Sequence, residues 1–428
     1  MGKIYPREIL PRMESFFGTD EIVVVLGARQ VGKSSLLLYL QELFRREGKN
    51  TYFIDLEDIE IRKEIVSPSG LLSYLKMKGY KSGRKAYVFL DELHHLEDAT
   101  GILKFLHDHH PGLKFFVSGS SSLRLRLRMR ESLMGRKIVF ILYPLRFPEF
   151  LLFREERELL GILREHGLKG ITEPFLGRLL SLYEEYLIWG GYPKVVLTEN
   201  VEIRRERLKE IFTTYMEKEV YEFIKREKAG RFSDLVSFLG AQSANLYKTL
   251  EVSKEMGMQR PTVERYVKIL EETFVVKRLY PFATNLQKEL TRTPKLYFLD
   301  TGFLNFAIRD FRPLRLRQSP GIFVETGVFV SLLFSLPSHA DIRFWRKRGG
   351  REVDFVIRMD GNIIPVEVKW KDNPRIPGAL IEFMDLYKSP CGFLFTRGTY
   401  GVETYKNKKI YILPAMTTSL VEWRRFIA

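Results

Sequence analysis

Cysteine is almost missing from this chain. Cys391 stands alone, which excludes a disulfide framework and fits a reducing cytosol. Long apolar runs are missing too: none approaches the roughly 18 residues that a spanning helix requires, so no membrane association is expected. The opening residues, MGKIYPREILPRM, contain no apolar stretch of signal-peptide length, and a cytoplasmic location is expected. Internal repeats and low-complexity segments are absent as well.

What is present is length and positive charge. A chain of 428 residues exceeds one ordinary core, so two to four domains are expected. An apolar content of 45% with 29% charged residues fits a soluble globular protein. Basic residues outnumber acidic ones, 69 to 53, for a formal charge of +16. That balance favours a polyanionic partner or membrane headgroups, with a plain solubility surface as the bland alternative.

The segment EIVVVLGARQVGKSSLLLYL reads as strand, loop and helix. Val23 to Leu26 is a continuous apolar run, as in a buried parallel strand. Gly27, four intervening residues, then Gly32, Lys33 and Ser34 give the full Walker A spacing. The loop Gly27, Ala28, Arg29, Gln30, Val31, Gly32, Lys33, Ser34 and Ser35 is expected to cradle ATP. Lys33 would reach the β- and γ-phosphates and the Ser34 hydroxyl would ligate Mg²⁺. The helix starting near Ser34 turns its positive end to the anion.

In RKAYVFLDELHH, Tyr87 to Leu90 reads as a second buried strand ending in two acids. Asp91 would hold Mg²⁺ through its water shell, and Glu92 would orient or deprotonate the attacking water. His94 and His95 have no ligand spacing around them and read as supporting or surface residues. LKFFVSGSSS is a third strand whose end lies beside the nucleotide in a parallel sheet. Ser118 or Ser120 there could sense the γ-phosphate, or simply form a polar turn. Arg124, Arg126, Arg128 and Arg130 follow as a concentrated basic patch. It suits a phosphate backbone, a subunit contact or a solvated face.

GARQVGKSS, YVFLDE, FVSGSSS and SLMGRKIVFILYPLRFPEF together resemble the AAA+ superfamily. More narrowly, they resemble archaeal and bacterial ATPases in which a P-loop domain precedes a winged helix and a nuclease-like domain. The resemblance implies an α/β fold with a P-loop (AAA+) parallel sheet over residues 1–150 and a helical lid over 151–230. A winged helix-turn-helix over 231–285 and a C-terminal α/β restriction-endonuclease-like domain over 286–428 would follow. It also implies a homo-oligomer, a trimer or hexamer, in which an arginine completes a neighbour's site. Arg136 is the candidate and Arg29 a weaker one; an ordinary salt bridge is the alternative for Arg136.

In the middle of the chain, WGGYPKVV breaks a helical stretch, and Trp189 and Tyr192 read as core. Leu250 to Met256, a turn at Gly257 and a helix from Pro261 then form a helix-turn-helix pattern followed by the strand FVVKRLYPF. Gln259, Arg260, Thr262, Arg265 and Lys268 fall on the exposed side of the second helix, where DNA phosphates and groove edges could be met. Packing or protein contact is the alternative.

REVDFVIRMDGNIIPVEVKW reads as a hairpin turning at Asp360-Gly361. A symmetric turn pairs Met359 with Asn362 and, counted outward, Asp354 with Glu367. Facing Cβ atoms lie roughly 5 Å apart, so two facing acids need a reason to persist. A divalent cation is the obvious one. Period two puts Lys369 on the face of Glu367. Together with Glu325, expected in the first turn of a helix, these residues resemble the PD-(D/E)xK nuclease signature. The resemblance implies that Glu325, Asp354 and Glu367 bind Mg²⁺ and that Lys369 supports the nucleophile or the scissile phosphate. Arg346, Lys347, Arg348 and Arg351 precede the first acid and suit a phosphodiester; Arg346 and Arg348 are the candidate DNA contacts.

The expected function is therefore an ATP-hydrolysing AAA+ protein that binds DNA and couples turnover to remodelling or processing it. Two alternatives stand beside it: a nucleotide-controlled signalling or defence switch with a protein-docking winged helix, and an ATP-regulated, metal-dependent nuclease.

Overall fold

The computed structural model describes residues 3–119, 132–221, 223–283, 292–347 and 349–426. Ser120, the patch from Arg124 to Arg130, and Arg348 lie outside the described residues. The chain divides into two compact units: Met1–Pro144 with Glu217–Val220 and Glu272–Phe274, and the remainder of 145–428.

The first unit is built on five strands, β1 (Ile22–Leu26), β2 (Thr51–Asp55), β3 (Ala86–Asp91), β4 (Leu113–Gly119) and β5 (Lys137–Ile141). They pair in parallel in the order β2-β3-β4-β1-β5. Every residue of β1, β3 and β4 is buried, which is why these strands read as unbroken apolar runs. Alternation still sorts the two faces. Val24, Leu26, Val88, Leu90, Phe115 and Val117 join one core cluster. Phe89 and Phe116 point the other way and meet Phe44 of the Lys33–Arg46 helix at ring distances of 6.0 and 5.5 Å. β1 and β3 therefore run straight into the phosphate loop and the acid pair.

The second unit begins with helices including Phe147–Phe153, Arg157–His166, Phe175–Trp189 and Val201–Tyr215. Trp189 and Tyr192 are buried core residues. Between them the Gly190-Gly191 turn is tied down by Asp300. Its carboxylate accepts hydrogen bonds from the Gly191 and Phe303 amides, both at 2.7 Å, and caps the Thr301–Ala307 helix. Burial pushes the Asp300 carboxyl up to about 6 despite these donors. Its folded pKa lies above the unfolded value, so stability is greatest below about 4, declines to about 6, and is flat above that. Asp300→Ala strands two buried amides and removes a cap. A loss of about 3 kcal/mol is expected in urea unfolding at pH 7.

Three further helices, Ala229–Ala241, Thr249–Glu255 and Arg260–Glu272, are followed by an antiparallel ladder of β6 (Val276–Leu279) and β7 (Lys295–Phe298). Gly257 (φ +57°) makes the turn before the third helix. That helix buries Val263, Tyr266, Val267 and Leu270, the spacing of one amphipathic face.

The chain ends in a six-stranded sheet, ordered β12-β13-β11-β10-β9-β8. Its strands are β8 (Asp341–Arg346), β9 (Glu352–Met359), β10 (Asn362–Val368), β11 (Cys391–Thr396), β12 (Gly401–Tyr405) and β13 (Lys408–Pro414). Asp360 (φ +50°) and Gly361 (φ +80°) turn the β9–β10 hairpin, and its register runs from Asn362–Met359 to Val366–Phe355. This is the pairing expected from the sequence. The ladder stops one step short of Asp354 and Glu367. On the other side of β9, Arg343 pairs with Val356 but Trp345 pairs with Val353. Asp354 and Phe355 thus oppose a single residue of β8, a bulge that re-aims Asp354. Glu325 lies on the Gly321–Ser335 helix, in its second turn rather than its first, because the helix starts at Gly321.

Candidate functional site

The phosphate loop owes its shape to close backbone approach. A Cβ on Gly27 would meet the Leu142 carbonyl oxygen at 2.1 Å. Gly32 sits at φ +97°, where side chains are strained. From outside the loop, the buried Arg7 guanidinium donates to the Val31 carbonyl at 2.8 Å. Lys33 opens the helix, is 5% exposed, and donates to the carbonyls of Gly27 and Ala28 at 3.1 and 2.9 Å. Burial lowers its pKa, while Glu92, Glu219 and Asp91 act to raise it.

The acids lie at the end of β3. Burial raises the Asp91 pKa, and the hydroxyls of Ser118 and Ser34 oppose this by hydrogen-bonding its carboxylate. Ser118 is fully buried: its hydroxyl donates to Asp91 and accepts from the Glu92 amide at 3.0 Å. It braces the acid pair. Glu92 adopts a left-handed backbone (φ 54°, ψ 49°), the kind of local strain that gathers at working sites. Burial opposes its ionisation, but the His94 hydrogen bond and the charges of Lys33, His94 and Arg29 outweigh it. The carboxyl falls to about 2. His94 Nδ1 lies 3.1 Å from Glu92 Oε2.

Two partners had no signal in the sequence. Arg29 Nε donates to Glu219 Oε1 at 2.9 Å, and the Glu219 side chain is 1% exposed. Glu219 lies on a π-helical turn, Met216–Val220, within the first unit; such turns gather at functional sites. Nothing in the spacing of YMEKEV pointed to it, nor to Arg7. Arg136 makes a two-pronged pair with Asp108, at 2.7 and 2.9 Å, which holds the Asp108 carboxyl well below the usual range.

The pair Ser34 and Asp91 supplies hard oxygen donors within one hydrogen bond of each other. This donor set fits Mg²⁺, which takes few protein oxygens alongside phosphates.

The C-terminal acids are also together, but differently composed. Lys369 Nζ donates to Glu367 Oε1 at 2.6 Å. The Val368 amide donates to Asp354 Oδ2 at 2.9 Å, and the Asp354 amide to Glu367 Oε2 at 3.4 Å. Tyr297 donates its hydroxyl to Glu325 Oε1 at 2.6 Å, and Lys295 Nζ reaches the same oxygen at 3.1 Å. Burial, then the Glu325 and Glu367 charges, push the Asp354 carboxyl well up, and burial raises Glu367. Among the described residues no group of three or more His, Cys, Asp or Glu side chains is arranged to hold a metal ion. Lys295 and Tyr297 went unnoticed in the sequence, although their K-x-Y spacing puts them on one strand face.

On the third helix of the 229–272 group, Arg260, Arg265 and Lys268 are exposed and Thr262 half-buried. Arg265 also donates to the Phe223 carbonyl. Arg346 is exposed and lies 3.3 Å from Glu352.

Residues 19–151 match a family model described as an AAA domain. Two further models, each described only as a domain of unknown function, match 180–314 and 320–417. The loop, the acid pair and the parallel strand order all lie within the residues matched by that AAA-domain model. Relatives span nearly the whole chain. An uncharacterised protein of Haemophilus influenzae is 23% identical over 89% of this chain and 90% of its own. One of Methanocaldococcus jannaschii is 26% identical over 79% and 72%. Among solved structures, DnaA from Aquifex aeolicus bound to AMPPCP aligns over 62% of this chain and 86% of its own, at 14% identity and TM-score 0.25. PCH-2 of C. elegans aligns over 44% and 58%, at 14% and 0.29. Scores this low carry no argument about function. No helix among the described residues is long and apolar enough to cross a membrane.

Proposed function

We propose that this chain hydrolyses ATP and couples that turnover to binding and remodelling or processing DNA. The observation that carries the ATPase half is the convergence of Lys33, Ser34, Asp91 and Glu92 at the ends of β1 and β3. Ser34 and Asp91 would hold Mg²⁺ there, which would supply neutralising positive charge for the phosphates. The chain's own groups do the rest. Lys33 leaves the loop carbonyls for the phosphates, and the Glu92 carboxylate, ionised across the neutral range, orients the attacking water and takes its proton. His94 keeps Glu92 aimed. Arg136 reaches a neighbouring subunit's nucleotide only by leaving Asp108.

Glu219 opposes nucleotide binding in this scheme. Its buried carboxylate holds Arg29 and places a negative charge beside incoming phosphates. Glu219→Gln is expected to tighten ATP binding by roughly threefold to tenfold, about 1 kcal/mol. A fluorescent ATP analogue measures this directly.

The DNA half rests on the three helices and the β6–β7 ladder, which we read as a winged helix, and on the exposed Arg260, Arg265 and Lys268 beside a chain charge of +16. ATPase rates with single-stranded, duplex and branched DNA test it, together with gel shifts across a salt series. Stimulation by one form is expected. Reversing Arg260 and Lys268 to Glu should weaken binding on the order of tenfold and flatten the salt slope. No binding at physiological salt would instead point to the nucleotide-controlled switch.

A further inference from the structure

Lys295 is nearly inaccessible, with 4% of its side chain exposed. Its ammonium reaches Glu325 Oε1 at 3.1 Å and Glu352 Oε1 at 2.5 Å. Its stem passes the Phe344 ring, Nζ lying 5.6 Å from the centroid. The backbone is held in the β6–β7 ladder and bridges Leu246. A buried ammonium is costly unless paired and hydrogen-bonded, and here two carboxylates from different elements, a helix and β9, satisfy it. Further donors sit on the neighbouring carboxylates. Tyr297 donates to Glu325, Arg346 to Glu352, Lys369 to Glu367 and the Val368 amide to Asp354. A divalent cation entering between this helix and β9 would meet an ammonium already seated on Glu325 Oε1 and Glu352 Oε1.

We propose that Lys295 is the resident counter-cation of Glu325 and Glu352 and stands among the C-terminal acids in the place of a divalent metal. This ammonium clamps the helix, the start of β9 and β7 together. The inference is independent of the ATPase reading, because it concerns cation binding in the absence of nucleotide.

Manganese titration of the full-length protein without nucleotide, followed by the EPR signal of free Mn²⁺, tests it. Wild type and Asp354→Asn are expected to take up the same small amount. Lys295→Met, which keeps the stem and removes the charge, should gain one Mn²⁺ per chain at least about tenfold tighter than anything in wild type. Adding Asp354→Asn to Lys295→Met should abolish that gain. One Mn²⁺ bound by wild type and lost in Asp354→Asn overturns the proposal. A folded Lys295→Met that gains no site overturns it too. Should Lys295→Met not fold, the comparison of wild type with Asp354→Asn decides alone. Uptake at the Ser34–Asp91 site survives Asp354→Asn and so cannot be mistaken for the cluster.

Discussion

Lys33→Ala is expected to lower kcat/KM for ATP by about a thousandfold, roughly 4 kcal/mol of transition-state stabilisation. The ammonium is the only cation buried within the phosphate loop, held by the Gly27 and Ala28 carbonyls. Alanine removes the charge that would meet the β- and γ-phosphates in the proposed mechanism. Loss of that charge lowers nucleotide affinity along with the rate. Phosphate release and binding of a fluorescent ATP analogue separate the two losses. A variant that turned over ATP at the wild-type rate would remove the basis for the ATPase reading.

Glu92→Gln should act on a different term. Glutamine keeps the size and the left-handed backbone but cannot accept a proton, so kcat should drop by about 10² to 10³ with KM almost unchanged. Bound ATP should then accumulate, visible as a slowly hydrolysed complex in single-turnover experiments. The substitution also changes acid stability. The folded carboxyl lies at about 2, below its ordinary 4.5, so it contributes stability above 4.5 that is lost as pH falls toward 2. Glu92→Gln should lack that decline. A wild-type pH–stability curve parallel to the variant's over this interval would place Glu92 in a solvated, uncoupled position.

These two variants probe residues that were visible in the sequence because their signals are local. The Walker A spacing lies within eight residues, and the acid pair ends a strand whose apolar run is continuous because both its faces are buried. The hairpin register was visible for the same kind of reason: a two-residue turn sets every pair outward from it, and Asn362–Met359 through Val366–Phe355 follow that count. The count carried no sign of the bulge at Asp354, which is set by the third strand, β8, where Arg343 and Trp345 are out of step. Ser118 shows another limit. A serine at a strand end can face a phosphate or a neighbouring acid, and only the packing of β3 against β4 turns it to Asp91.

By itself the sequence determined the phosphate loop, its acids, the buried parallel strands and the hairpin turn, because backbone sterics and side-chain periodicity act over a few residues. Tertiary structure alone decided who meets those groups: Arg7 on the loop, Glu219 on Arg29, Asp108 on Arg136 and Lys295 on Glu325. Each is a charge balanced across long sequence separation. Coulomb attraction and the cost of burying an unpaired ion depend on distance in space, which no spacing along the chain encodes.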